Sequence, residues 1–112
     1  MLATQTIQFE PGKSVLTTIG RATLDHLLAK LKRYPKARIR IEGYTDSDGS
    51  SALNLSLSRA RAAAVRAYLI QNGSSASHLT AVGFGENRPV ASNATAAGKA
   101  RNRRIELRVT SS

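Results

Sequence analysis

Polar and apolar positions along the chain separate into short alternating runs and two longer helical stripes. Thr4 to Phe9 alternates, with Gln5, Ile7 and Phe9 on one side, and reads as a strand that Glu10-Pro11-Gly12 ends. Thr17 or Thr18 can cap a helix whose Leu24, Leu27, Leu28 and Leu31 fall at i, i+3, i+4 and i+7, which makes one buried stripe. Lys30, Lys32 and Arg33 suit the end of that helix, and Pro35 stops it. Arg38 to Tyr44 is a second strand, with Ile39 and Ile41 on one face and Arg38, Arg40 and Glu42 on the other. So clean an alternation predicts one wet sheet face, with the helices mainly on the opposite side. A second helix is expected from Ser58, as its cap, to Asn72-Gly73, with Ala62, Val65 and Leu69 inward. A short strand at Leu79 to Val82, a loop from Gly83 to Asn93 and a helical turn near Thr95 to Arg101 follow. The final strand is Arg103 to Val109, with Ile105, Leu107 and Val109 towards the core. The order β-α-β-α-β-β predicts a two-layer α/β sandwich.

Length and composition narrow this only slightly. The chain has 112 residues, enough for one domain, and 41% of them are hydrophobic, enough for one core. No apolar run could span a bilayer, and no leader is visible ahead of the first strand. That abrupt start suggests a fragment of a larger protein. Seventeen Lys and Arg against seven Asp and Glu leave a net charge of +10, which favours polyanionic partners or serves as a self-repelling surface.

Catalytic and metal chemistry find no footing. There is no cysteine, and His26 and His78 have no ligand spacing. No GxSxG elbow is present. The run Asp46-Ser47-Asp48-Gly49-Ser50 invites a calcium-loop reading. Counted from Asp46, however, the sixth position is Ser51 rather than Gly, and the twelfth is Leu57 rather than Glu.

Arg61 breaks a local rule. With Ser58 as cap it occupies the first turn of a helix, where the dipole disfavours a cation by a few tenths to ~1 kcal/mol. Positions that break such rules are often functional, and an Arg beside free amides suits a carboxylate or phosphate. The alternative is a helix that starts earlier, at Leu53 or Asn54, with Arg61 on its solvated side. Asp46 lies just past the second strand, where α/β folds place ligands. Asp46 and Arg61 together would hold a zwitterion, or would simply pair with each other; the residues alone leave both open.

Gly43-Tyr44-Thr45-Asp46-x-x-Gly49, then Asn54-x-x-Leu57-Ser58-x-x-Arg61-Ala62-x-x-Val65, resembles the OmpA C-terminal domain family. Gly83-Phe84-Gly85-Glu86-x-x-Pro89-Val90, Asn93-x-Thr95-x-x-Gly98 and Asn102-Arg103-Arg104-Ile105-Glu106 continue the pattern in order. Phe9-Glu10-x-x-Lys13-Ser14 is similar to the family's opening motif, with Glu10 where Asp is usual.

The resemblance covers nearly the whole chain and implies a mixed four-stranded sheet with two long helices packed mainly on one face. It implies non-covalent, non-catalytic binding of peptidoglycan in the periplasm of a Gram-negative bacterium, through meso-diaminopimelate of the stem peptide. No cofactor is implied. Carried over, the family's anchors are Asp46 for the ammonium and Arg61 for the carboxylate, with Phe9, Glu10, Thr45, Leu57 and Arg104 as flanking positions. Such a module would tether an outer-membrane or envelope protein to the wall, as a monomer or a dimer. Rival readings are a basic nucleic-acid-binding module, supported by charge alone, and a degenerate protein–protein interaction domain.

Overall fold

The computed structural model describes residues 3–5 and 7–111, with side chains from Ile7 onward. Thr6, in the middle of the expected first strand, and the Met1-Leu2 start lie outside the described residues. Strand β1 is Ala3–Gln5, shorter than the expected run to Phe9; Phe9 instead forms an isolated antiparallel bridge with Leu16. Helix α1, Thr18–Leu31, is capped by Thr17, whose side chain accepts the Gly20 amide. Strand β2, Arg38–Tyr44, is followed by α2, Ser51–Gln71. Strand β3 is Leu79–Gly85, α3 is Ala96–Asn102 capped by Thr95, and β4 is Arg104–Ser111.

Two features of the expected fold are overturned. Among the described residues there are three α-helices rather than two long ones and a turn, because Ala96–Asn102 closes two turns where only one was expected. The body of the sheet is three-stranded and mixed rather than four-stranded: β2 lies between antiparallel β4 and parallel β3. The three-residue β1 adds only a stub to the outer edge of β4. Phe9 pairs with Leu16 across the turn that the Glu10 amide closes by donating to the Val15 carbonyl at 2.8 Å, so the end of the expected first strand is used in that turn instead of in the sheet.

Leu24, Leu27, Leu28 and Leu31 of α1 and Ala62, Val65 and Leu69 of α2 pack on Ile39, Ile41, Ile105 and Leu107 of the sheet. Each such side chain contributes roughly 1.5–3 kcal/mol on burial. Val109, expected in this core, is 44% exposed near the sheet's end. Helix α2 lies very close to the sheet, because a Cβ on Gly43 would sit 2.4 Å from the Ser58 carbonyl oxygen and one on Gly83 2.4 Å from the Arg59 amide.

The opposite face is not simply wet. Glu42, Tyr44, Arg104 and Glu106 are all buried there. The Glu42 carboxylate accepts from Arg40 Nε at 2.6 Å, from the Tyr44 hydroxyl at 2.6 Å and from Arg108 Nε at 2.9 Å. Arg104 Nε and Arg108 Nη2 both donate to Glu106. Alternation assigned the charged residues to one face; their mutual neutralisation lets Glu42, Arg104 and Glu106 be buried there while Arg40 and Arg108 stay partly exposed.

Candidate functional site

The carboxyl end of β2 opens beneath the turn that joins β1 to α1. A cleft of about 500 Å³ lies there, walled by Phe9, Tyr44, Arg61, Arg103 and the Pro11-Gly12 turn. Helix α2 brings Arg61 to it, though not from its first turn. The helix cap is Ser50, whose hydroxyl accepts the Leu53 amide, so Arg61 sits in mid-helix. The helix starts earlier even than the Leu53 or Asn54 alternative, Arg61 is half-buried rather than solvated, and no free helix-start amides surround it. Ser58 is a buried staple: its hydroxyl donates to the Leu55 carbonyl and accepts the Gly85 amide at 2.9 Å, fastening α2 to the end of β3.

Arg61 is half-buried. Its Nε–H donates to the Lys13 carbonyl at 3.0 Å, and its guanidinium carbon lies 5.0 Å from the centre of the Phe9 ring. Burial lowers its pKa and the neighbouring charge of Arg103 adds to that, while Asp46 pulls the other way. No acidic side chain forms an ion pair with Arg61 among the described residues. It stays charged, since guanidinium does not deprotonate in proteins, with Asp46 near enough to act on it but paired elsewhere.

Asp46 is buried and its carboxylate is already engaged. One oxygen accepts the Asp48 amide at 3.0 Å and the other accepts Arg103 Nη1. Its backbone is held too, since the Thr45 hydroxyl donates to the Asp46 carbonyl at 2.8 Å. Asn54 Nδ2 clamps the loop through the Asp48 carbonyl at 2.8 Å, and Lys99 reaches the Asp48 carboxylate at 3.0 Å. Asn102 binds the Val90 and Ala91 amides and the Asn93 side chain, which in turn accepts the Ser47 amide.

The two expected anchors form no ion pair with each other: Asp46, which does not line the cleft, has Arg103 as its counterion, and both act on the charge of Arg61. Phe9 joins Arg61 at the cleft wall. Thr45 orients Asp46 from behind, Leu57 is half-buried on α2, and Glu10 is exposed, with its backbone closing the turn; none of these three lines the cleft. Arg104 borders the cleft, but its guanidinium is committed to Glu106, to the Arg88 carbonyl and to the Tyr44 ring 3.8 Å below it.

Arg103 was missing from the expected set. Its parity with Ile105 and Leu107 was the available signal, because an Arg on the core side of a strand must emerge where that core ends. No group of three or more His, Cys, Asp or Glu that could hold a metal occurs among the described residues.

The chain matches the OmpA family over residues 8–103. It belongs to the OmpA family. The probable lipoprotein YiaD of Escherichia coli is 43% identical over 101 residues, which are 90% of this chain and 46% of that protein. The peptidoglycan-binding protein ArfA of Mycobacterium tuberculosis is 46% identical over 84 residues, 75% of this chain and 26% of that protein. The chain therefore spans less than half the length of these relatives. Among solved structures, the peptidoglycan-associated lipoprotein of Burkholderia pseudomallei superposes with a TM-score of 0.78 at 34% identity, covering 93% of this chain and 86% of that one. The cell wall anchor of the type VI secretion system of Pseudomonas aeruginosa gives 0.80 at 32% identity, covering 90% and 73%.

Proposed function

We propose that this OmpA-family domain binds peptidoglycan without catalysis, gripping the meso-diaminopimelate residue of a stem peptide in the Arg61 cleft and so tethering its parent protein to the wall. The observation that carries this reading is a half-buried Arg61 in an open cleft, in no ion pair among the described residues, with Asp46 near enough to act on its charge. The names of ArfA and of the secretion-system cell wall anchor support the polymer as ligand.

In this reading the ligand carboxylate takes the free Nη groups of Arg61, assisted by Arg103, and the ammonium takes the Asp46 oxygen that Arg103 now holds. Arg103 swings between the two acids. Helix-start amides take no part, because Arg61 is mid-helix. A lysine-type stem peptide keeps the amine but lacks the second carboxylate, leaving Arg61 unpaired at a cost of about 1–3 kcal/mol. The domain acts in the cell envelope, and we place it in the periplasm. A mycobacterial relative as similar as ArfA argues against tying the fold to Gram-negative outer membranes alone.

Calorimetric titration of diaminopimelate-type and lysine-type muropeptides is the direct test. Preference for the former, lost in Asp46→Ala and Arg61→Ala variants that stay folded, is expected. Equal affinity for both peptides overturns the diaminopimelate assignment.

A further inference from the structure

Cations used neither by the cleft nor by the outer sheet face are unevenly distributed. No acidic residue occurs from His26 to Ile41, from Gly49 to Gly85, or after Glu106. The exit of α1, the exit of α2 and the carboxyl end of β4 meet at the amino end of β2, where Arg38 pairs in register with Ser111. That end of the molecule consequently carries no acidic side chain, while Lys30, Lys32, Arg33, Lys36 and Arg38 follow one another there, all exposed. Within this run Tyr34 is 59% exposed, the one aromatic among the large exposed apolar side chains. Beside it lies a hollow of about 230 Å³, with Leu31, Ile39 and Leu79 in its floor and Lys32, Tyr34 and His78 on its walls.

A solvated charged surface has no use for an apolar hollow and an outward tyrosine. Nucleic acid would be served by several stacking aromatics, and here there is one. Lys and Arg around an amphipathic aromatic, next to accessible apolar surface, match the charge and depth profile of a lipid headgroup layer. We propose that this end of the domain docks on an anionic phospholipid surface, with Lys32, Arg33 and Lys36 against headgroup phosphates and Tyr34 at headgroup depth. The seven residues of β2 separate it from the cleft by about 20 Å, so both ends can be occupied at once. Docking at this end is independent of what the cleft binds.

Co-sedimentation with unilamellar vesicles at physiological salt tests it. Binding to vesicles of phosphatidylcholine with phosphatidylglycerol, and not to phosphatidylcholine alone, is expected. A near-surface cation is worth about fivefold in partitioning, so Arg33→Glu/Lys36→Glu should weaken it by at least about tenfold. Arg59→Glu/Arg101→Glu, with the same net charge, should stay within about twofold, and Tyr34→Ala should lose a few-fold. Equal losses from the two double variants would reduce the effect to net charge and overturn the proposal, as would indifference to phosphatidylglycerol. Tighter binding of a DNA oligonucleotide than of vesicles, with the same dependence on Arg33 and Lys36, would assign the surface to nucleic acid instead.

Discussion

Arginines on the outer sheet face and arginines at the cleft are built from the same chemistry and put to opposite use. On the outer face Arg40, Arg104 and Arg108 each have a carboxylate, and Arg104 is only 5% exposed at its side chain. At the cleft Arg61 and Arg103 share one nearby acid, Asp46, which Arg103 already holds. Paired arginines let a charged face be buried, whereas an arginine left over beside an open hollow is available to something from outside. The comparison separates residues whose loss costs folding from those whose loss costs binding.

The largest effect should come from breaking the fully buried pair. Arg104→Ala leaves Glu106 half-served and removes the cation that covers the Tyr44 ring, and should cost ~3–5 kcal/mol in urea unfolding. A loss under ~1 kcal/mol would show that the outer face is held by apolar packing alone. Arg61→Ala should do the reverse, weakening muropeptide binding by ~2–3 kcal/mol, read by calorimetry, because a charge-assisted contact is lost. Its unfolding free energy should change by ~1 kcal/mol or less. A large stability loss in Arg61→Ala with intact binding would invert the comparison.

The outer face should also register in pH. Burial pushes the Tyr44 hydroxyl up to about 12, helped by its hydrogen bond to Glu42 and by that carboxylate's charge. A group protonated more firmly when folded stabilises below its unfolded pKa, so this contribution should fade as pH rises from 10 to about 12. Tyr44→Phe should flatten that alkaline slope. Glu42 lies on the acid side: burial would raise its pKa, but hydrogen bonds from Tyr44, Arg108 and Arg40 outweigh burial and hold it below 4.5. Its contribution is present at neutral pH and is lost as pH falls through that lowered value. Arg40→Ala should be the mildest change, under ~1 kcal/mol by thermal unfolding, because its side chain is 41% exposed and Glu42 keeps two other donors.

Periodicity served best where one helix face or one strand face answers to the core. The leucine stripe of α1, its Thr17 cap and the alternation of β2 were all readable, because each depends on residues a few positions apart. The start of α2 was not. Ser50 and Ser58 are both plausible caps locally, and only the contact of Ser58 with Gly85, far along the chain, shows that its hydroxyl is a staple. The apparent misfit of Arg61 was a misplaced helix boundary. Motif resemblance pointed to Asp46 and Arg61 as anchors, the roles proposed for them above. Spacing along the chain could not disclose that Arg103 intervenes, since that requires the end of α3 to be brought against the Thr45-Asp46 loop.

The Asp46–Arg103 link has a consequence for anchoring by such a cleft. An incoming ammonium would exchange one counterion for another rather than satisfy a bare carboxylate, so little free energy is released at that step. Affinity at a single cleft would be modest and release quick. Firm attachment would then arise from many copies engaging a continuous polymer together, with individual grips free to let go as the mesh is rebuilt.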